Sequence, residues 1–127
     1  MVIERFDHLV LTVQDLDRTL DFYTRVLGME AREQNGRWAL YFGQQKINLH
    51  TRKGEFLPAA LVPTYGSQDL CLIARGEIEQ IRQELAASGW PIELGVVPRT
   101  GALGPIDSIY LRDRDGNLIE ISVYRDQ

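Results

Sequence analysis

One pattern, met twice, most constrains what this chain can become. From residue 6, "FDHLVLTV" alternates like a strand, with Leu9, Leu11 and Val13 on one side and His8, Val10 and Thr12 on the other. Asp15 then stands where a helix cap belongs, Leu16, Leu20, Tyr23 and Leu27 recur at helical spacing, and Gly28 offers a stop. Three short segments follow, "MEAREQ", "RWALYFG" and "KINLHT", parted by Asn35-Gly36 and by Gly43-Gln44-Gln45, which are hairpin punctuation. Residues 51–66 hold Gly54, Pro58, Pro63 and Gly66 without a sustained period and read as a connector. The order then restarts. "DLCLIA" is a strand, "EIEQIRQELAASG" a helix with Ile78, Ile81 and Leu85 on one face, and "PIELGVV", "DSIYLRD" and "NLIEISVY" are strands, the last two joined through Asp115-Gly116.

The repeat can be checked by counting to the helix-closing glycines: 28 minus 8 is 20, and 89 minus 69 is 20. His8 and Asp69 are therefore equivalent, and aligning "INL" with "IEI" makes Asn48 and Glu120 equivalent. His50 lies two residues beyond Asn48 and so shares its strand face. The expected fold is α+β: two βαβββ modules whose mixed sheets curl into a cup, with the helices packed outside. Residues 1–127 are expected to make one domain, with module one at about 4–52, the connector at about 53–66 and module two at about 67–125. In such a cup the polar strand positions His8, Asn48, Asp69 and Glu120 converge near a pseudo-twofold axis.

Charge and cysteine usage narrow the partners. The net charge is −4 and the basic residues are scattered, which argues against nucleic acid and anionic membranes. Glu4, Arg5 and Asp7 interrupt any apolar leader, no apolar run is long enough to span a bilayer, and the single Cys71 has no partner within the chain, so a cytoplasmic protein is expected. Glu120 is the sharpest chemical signal. A carboxylate between Ile119 and Ile121 is costly to bury without a cation or several donors. The chain has only two histidines, and both fall on the polar face of strands assigned to the cup.

"DHLVLTVQDLDRTLDFYTRVLGME" and "IYLRDRDGNLIEI" resemble the opening strand and helix and the closing hairpin of the vicinal oxygen chelate superfamily. That superfamily includes glyoxalase-type lyases, extradiol dioxygenases and bleomycin-resistance proteins. The resemblance covers nearly the whole chain and is nearest to small single-domain proteins named for a glyoxalase domain. It implies a divalent metal, Fe, Mn, Ni or Zn, held in the cup, with His8 matching the first ligand and Glu120 the last. Asp69 departs from the usual histidine, and Asn48 stands where the lyases carry glutamate or glutamine. The set the resemblance implies is His8, His50 and Glu120, with Asp69 as a fourth ligand or as the acceptor that orients a ring N–H. Catalysis would rest on His50 and Glu120, because an amide at Asn48 cannot serve as the base of a proton transfer.

The resemblance thus implies a metal-dependent lyase, isomerase or dioxygenase acting on a small carbonyl or vicinal-oxygen compound. Its alternative is a metal-free protein that binds and sequesters a small molecule, as bleomycin-resistance proteins do. A homodimer is implied in either case. Substrate contacts are expected from Asn48, Arg99, Thr100 and Tyr110. The segment "VPRTGALGPI", residues 97–106, reads as a glycine-rich loop that can close over the cup and offer N–H donors to an anionic group. Asp113, Asp115 and Gly116 read as turn residues, since no glutamate completes a calcium loop.

Overall fold

The computed structural model describes residues 1–125. The chain divides into two units, Met1–Gly66 and Ser67–Gln127, and each has its own sheet. In the first unit β1 (His8–Thr12), β2 (Glu30–Gln34), β3 (Arg37–Phe42) and β4 (Gln45–His50) form a sheet in the order β1-β4-β3-β2. β1 runs parallel to β4 and the other pairs are antiparallel, so the sheet is mixed. In the second unit β5 (Asp69–Ile73), β6 (Leu94–Gly101), β7 (Gly104–Arg112) and β8 (Leu118–Tyr124) repeat that plan in the order β5-β8-β7-β6. Two modules of α+β character are the architecture the repeat predicts.

One face of each sheet makes the core. Leu11, Val13, Leu40, Ile47 and Leu49 are buried with Phe22 and Tyr23 in the first unit. Leu85, Ile109, Leu111, Ile119 and Ile121 are buried in the second. The hairpin at Asn35-Gly36 forms for the reason its sequence suggests: φ is 56° at Asn35 and 77° at Gly36, the left-handed pair a tight two-residue turn demands. Asp15 caps its helix by accepting from the Arg18 N–H at 3.0 Å.

The first helix departs from the expected face. After α1 (Leu16–Asp21) the chain continues as a π-helical stretch, Phe22–Val26, with wider turns. Thr19, Phe22 and Tyr23 are buried while Leu16, Leu20 and Leu27 are only partly covered. α2 (Ile78–Ala87) keeps regular geometry and buries Leu85, with Ile78 and Ile81 half-covered as expected. Neither helix is long and apolar enough to cross a membrane.

A second departure concerns residues 97–106. They are not a loop: β6 and β7 pair without interruption from Val97 opposite Ser108 to Gly101 opposite Gly104. Pro98, Gly101 and Gly104 hide the alternation in the sequence, yet a tight hairpin is what they punctuate. β6 bulges between Gly95 and Val97, and a Cβ at Gly95 would sit 2.7 Å from the Ser108 carbonyl oxygen, so only glycine lets the two backbones approach there.

Candidate functional site

The repeat holds at the level of strand register. His8 lies opposite Lys46 and Val10 opposite Asn48, while Asp69 lies opposite Leu118 and Cys71 opposite Glu120. His8 therefore matches Asp69, Asn48 matches Glu120, and His50 matches Ser122. Within each unit the two matched polar positions are diagonal neighbours on the face away from the apolar core, about 8 Å apart at the backbone, a span two side chains can close.

On the first unit this face is open. The rows across it run Arg32, Ala39, Asn48, Val10 and then Glu30, Tyr41, Lys46, His8. A recess of about 640 Å³ is lined by Arg37, Tyr41, Lys46, Asn48, His50 and Phe56, among others, within the range of small-molecule sites. Small Ala39 leaves the floor low between longer neighbours. Phe56, from the segment after β4, stands edge-on to His50 with ring centroids 5.1 Å apart, and the Arg37 guanidinium lies 4.0 Å from the Phe56 ring centre. Burial pushes His50 below the ordinary histidine value of about 6.5, Arg37 adding to the effect and Glu55 opposing it. The imidazole is accordingly neutral at pH 7.

His8 is oriented by its neighbour. Its Nδ1 lies 2.8 Å from the Asp7 carboxylate, and that hydrogen bond holds Asp7 below the usual carboxylate range. With Nδ1–H donated to Asp7, Nε2 keeps its lone pair for a ligand. The orienting role expected for Asp69 is thus supplied to His8 by Asp7, a residue sequence reasoning missed although it stands next in the chain. The register does not bring His8 and His50 together. His8 faces Lys46, four residues before His50, so the two imidazoles spring from backbone points about 14 Å apart along one face.

On the second unit the corresponding face carries a chain of hydroxyls. Ser108 donates to Glu120 Oε2 at 2.6 Å, Ser108 and Ser122 Oγ atoms are 2.7 Å apart, and Cys71 Sγ is 3.3 Å from Ser122 Oγ. Proton counting gives the direction. Ser108 gives its single proton to Glu120, so Ser122 donates to Ser108 at 2.7 Å or to Glu120 Oε2 at 3.3 Å, and the Cys71 thiol donates to Ser122. Both serines are fully buried, and the chain satisfies their hydroxyls. Glu120 Oε2 is held in place, and Oε1 remains for a ligand. Burial pushes the Cys71 thiol up, with Glu120 and Asp69 acting in the same sense, so it stays protonated as the chain requires. Ser108 and Ser122 were legible only as polar residues on the inward face of β7 and β8.

Tyr110 lies opposite Glu120, and its hydroxyl accepts from Arg99 Nε at 3.0 Å, so Arg99 and Tyr110 meet on the Glu120 face. Thr100 does not. It pairs with Pro105 while Arg99 pairs with Ile106, and alternation turns Thr100 to the other face. Asp113 accepts from the N–H groups of Asp115 and Asn117 at 3.0 and 2.9 Å and binds the Asn117 amide, fixing the turn before β8.

Among the described residues no group of three or more His, Cys, Asp or Glu side chains is gathered closely enough to hold a metal ion. Each unit by itself offers two donors on one face: a His8 nitrogen and the Asn48 amide oxygen in the first, and the Asp69 and Glu120 carboxylates in the second. Nitrogen and oxygen donors of these kinds suit a first-row divalent ion.

The sequence profile of the Glyoxalase/Bleomycin resistance protein/Dioxygenase superfamily matches residues 5–121. The chain is 53% identical over 125 residues to glyoxalase domain-containing protein RDO1 of Mycosarcoma maydis, a match covering 98% of this chain and 70% of that protein. It is 54% identical to virulence protein STM3117 of Salmonella typhimurium, covering 98% of this chain and 87% of that protein. The crystal structure of STM3117 superposes with a TM-score of 0.95 over 98% of this chain and 99% of that one. Integron cassette protein VCH_CASS1 from the mobile metagenome of V. cholerae, 50% identical, superposes with a TM-score of 0.94 over 98% of both chains.

Proposed function

The chain belongs to the Glyoxalase/Bleomycin resistance protein/Dioxygenase superfamily, and we propose that it is a divalent-metal-dependent enzyme acting on a small carbonyl or vicinal-oxygen compound. The observation that carries this reading is the matched placement of donors, His8 with Asn48 and Asp69 with Glu120, at the same register positions of two repeated sheets. The proposed ligands are His8 with the Asn48 oxygen on the first unit and Asp69 with Glu120 on the second. A divalent ion there supplies Lewis acidity toward two adjacent substrate oxygens. Asp7 keeps the His8 ring turned with Nε2 outward, and the Ser122–Ser108 chain fixes Glu120 so that one oxygen is presented without rotamer search.

In this reading His50 is the base and not a ligand. It is neutral at pH 7, sits two residues beyond Asn48 on the same face, and takes a proton at a ring nitrogen from the carbon next to the substrate carbonyl. Arg99 and Tyr110 contact substrate from the Glu120 side. The two modules work as one domain, the protein is a homodimer, and it acts in the cytoplasm. Metal analysis of protein purified without chelator tests the reading: one ion per chain is expected in the parent and none in His8→Ala or Glu120→Ala. A parent without stoichiometric metal would instead favour a small-molecule binder.

A further inference from the structure

Charge on the open face of the first unit is distributed against the grain of the whole chain. The net charge is −4, yet the recess is lined by Arg32, Arg37 and Lys46 against one carboxylate, Glu33. Arg32 is committed elsewhere: Glu30 accepts from its Nε and Nη2 at 3.1 and 2.9 Å. Arg37 and Lys46 have no carboxylate within ion-pair distance among the described residues. Asp7 acts on Lys46 only beyond ion-pair distance, so two cations line one recess without a close carboxylate, and an anion entering it is stabilised by both.

The surroundings favour an organic anion over a bare ion. Arg37 is held over the Phe56 ring at 4.0 Å, which fixes its plane while leaving N–H edges to donate, and Lys46 stands 5.9 Å from the Tyr41 ring centre. Tyr41, with the Arg32 guanidinium 4.2 Å from its ring centre, and Phe56 flank the recess, and the low floor at Ala39 leaves depth for a flat group. His50 and Asn48 complete the lining with an imidazole and an amide.

We propose that this face of the first module is the receptor for the charged end of a small organic oxyanion, a carboxylate or phosphonate, anchored by Arg37 and Lys46 and flanked by Tyr41 and Phe56. The proposal deepens the functional reading above by naming the substrate class, and it rests on that reading only in taking this face as part of the substrate site. It also reverses one implication of the overall charge. A cationic ligand, which a chain of −4 would attract at long range, is rejected at this wall.

The test is an amide chemical-shift titration of the full chain with malonate, with methylphosphonate and with tetramethylammonium, each at matched ionic strength. Saturable shifts confined to residues 30–56 are expected with at least one of the two anions, and none with the cation; which anion binds tells carboxylate from phosphonate. Arg37→Gln and Lys46→Gln, both on the open face and so compatible with folding, should each weaken that binding roughly tenfold, the loss of one charge-assisted contact. Saturation by tetramethylammonium, anion shifts that never saturate, or unaltered affinity in both variants would overturn the proposal. Metal content is measured on the same samples. Anion binding in a metal-free parent would leave this proposal standing while the enzyme reading falls, and a metal-replete parent indifferent to both anions would do the reverse.

Discussion

The two sheets share a register and differ in chemistry. On the first, the face away from the core is open and basic, with Arg37 and Lys46 set among Tyr41, Phe56 and a neutral His50. On the second, the same positions are filled by a satisfied network in which Cys71, Ser122 and Ser108 pass hydrogen bonds to Glu120. The pair His50 and Ser122 shows the divergence most plainly: one register position carries an imidazole in one module and a buried hydroxyl in the other. Duplication fixes where side chains can stand. It leaves open what they do, and here one face is suited to receiving a ligand and the other to holding a carboxylate still.

The largest expected effect breaks the comparison at the backbone. Gly95→Ala places a Cβ against the Ser108 carbonyl at 2.7 Å and at φ +130°, so it should destabilise by about 3 kcal/mol or more in urea unfolding. Gly36→Ala in the first unit meets open space at φ +77° and should cost only about 1 kcal/mol, the conformational penalty alone.

Next comes the hydroxyl chain. Ser108→Ala takes the 2.6 Å donor from Glu120 and leaves Ser122 only its 3.3 Å contact to Glu120 Oε2, with an expected loss of about 1–3 kcal/mol in stability. In the enzyme reading it also weakens metal affinity by roughly 10- to 100-fold. Ser108→Thr, which keeps the hydroxyl, should restore most of the metal affinity, and isothermal titration with Mn or Zn separates this positioning role from a merely structural one.

The smallest effect is electrostatic. Because burial holds His50 below the ordinary histidine value, the unfolded chain binds more protons than the folded one as pH falls below about 6.5. The contribution of His50 to stability is therefore present above that pH and is lost as pH falls toward the folded value. An imidazole titration by NMR should place the His50 midpoint below 6.5, and His50→Gln should flatten the acid side of the stability profile.

The sequence made the repeat, the strand faces and the Asn35-Gly36 turn legible because each is a local matter of period or backbone sign. The equivalence of His8 with Asp69 and of Asn48 with Glu120 needed only counting, and the strand registers agree with it. Three things were hidden. The π-helical stretch at Phe22–Val26 is one, and no residue type announces it. Strands β6 and β7 were masked by Pro98, Gly101 and Gly104, whose usual meaning is a loop. The distance between His8 and His50 depends on how far β1 slides along β4. Composition carries no trace of that offset.

The central claim is that His8, and not His50, supplies the imidazole to the proposed metal ion. Pulsed electron paramagnetic resonance on Mn-loaded protein, with histidine labelled by nitrogen-15, reads coordinated imidazole directly. The account predicts one imidazole nitrogen coupled to the ion, lost in His8→Ala and kept in His50→Ala. Coupling that survives loss of His8 and vanishes with His50, or no imidazole coupling at all, would contradict it.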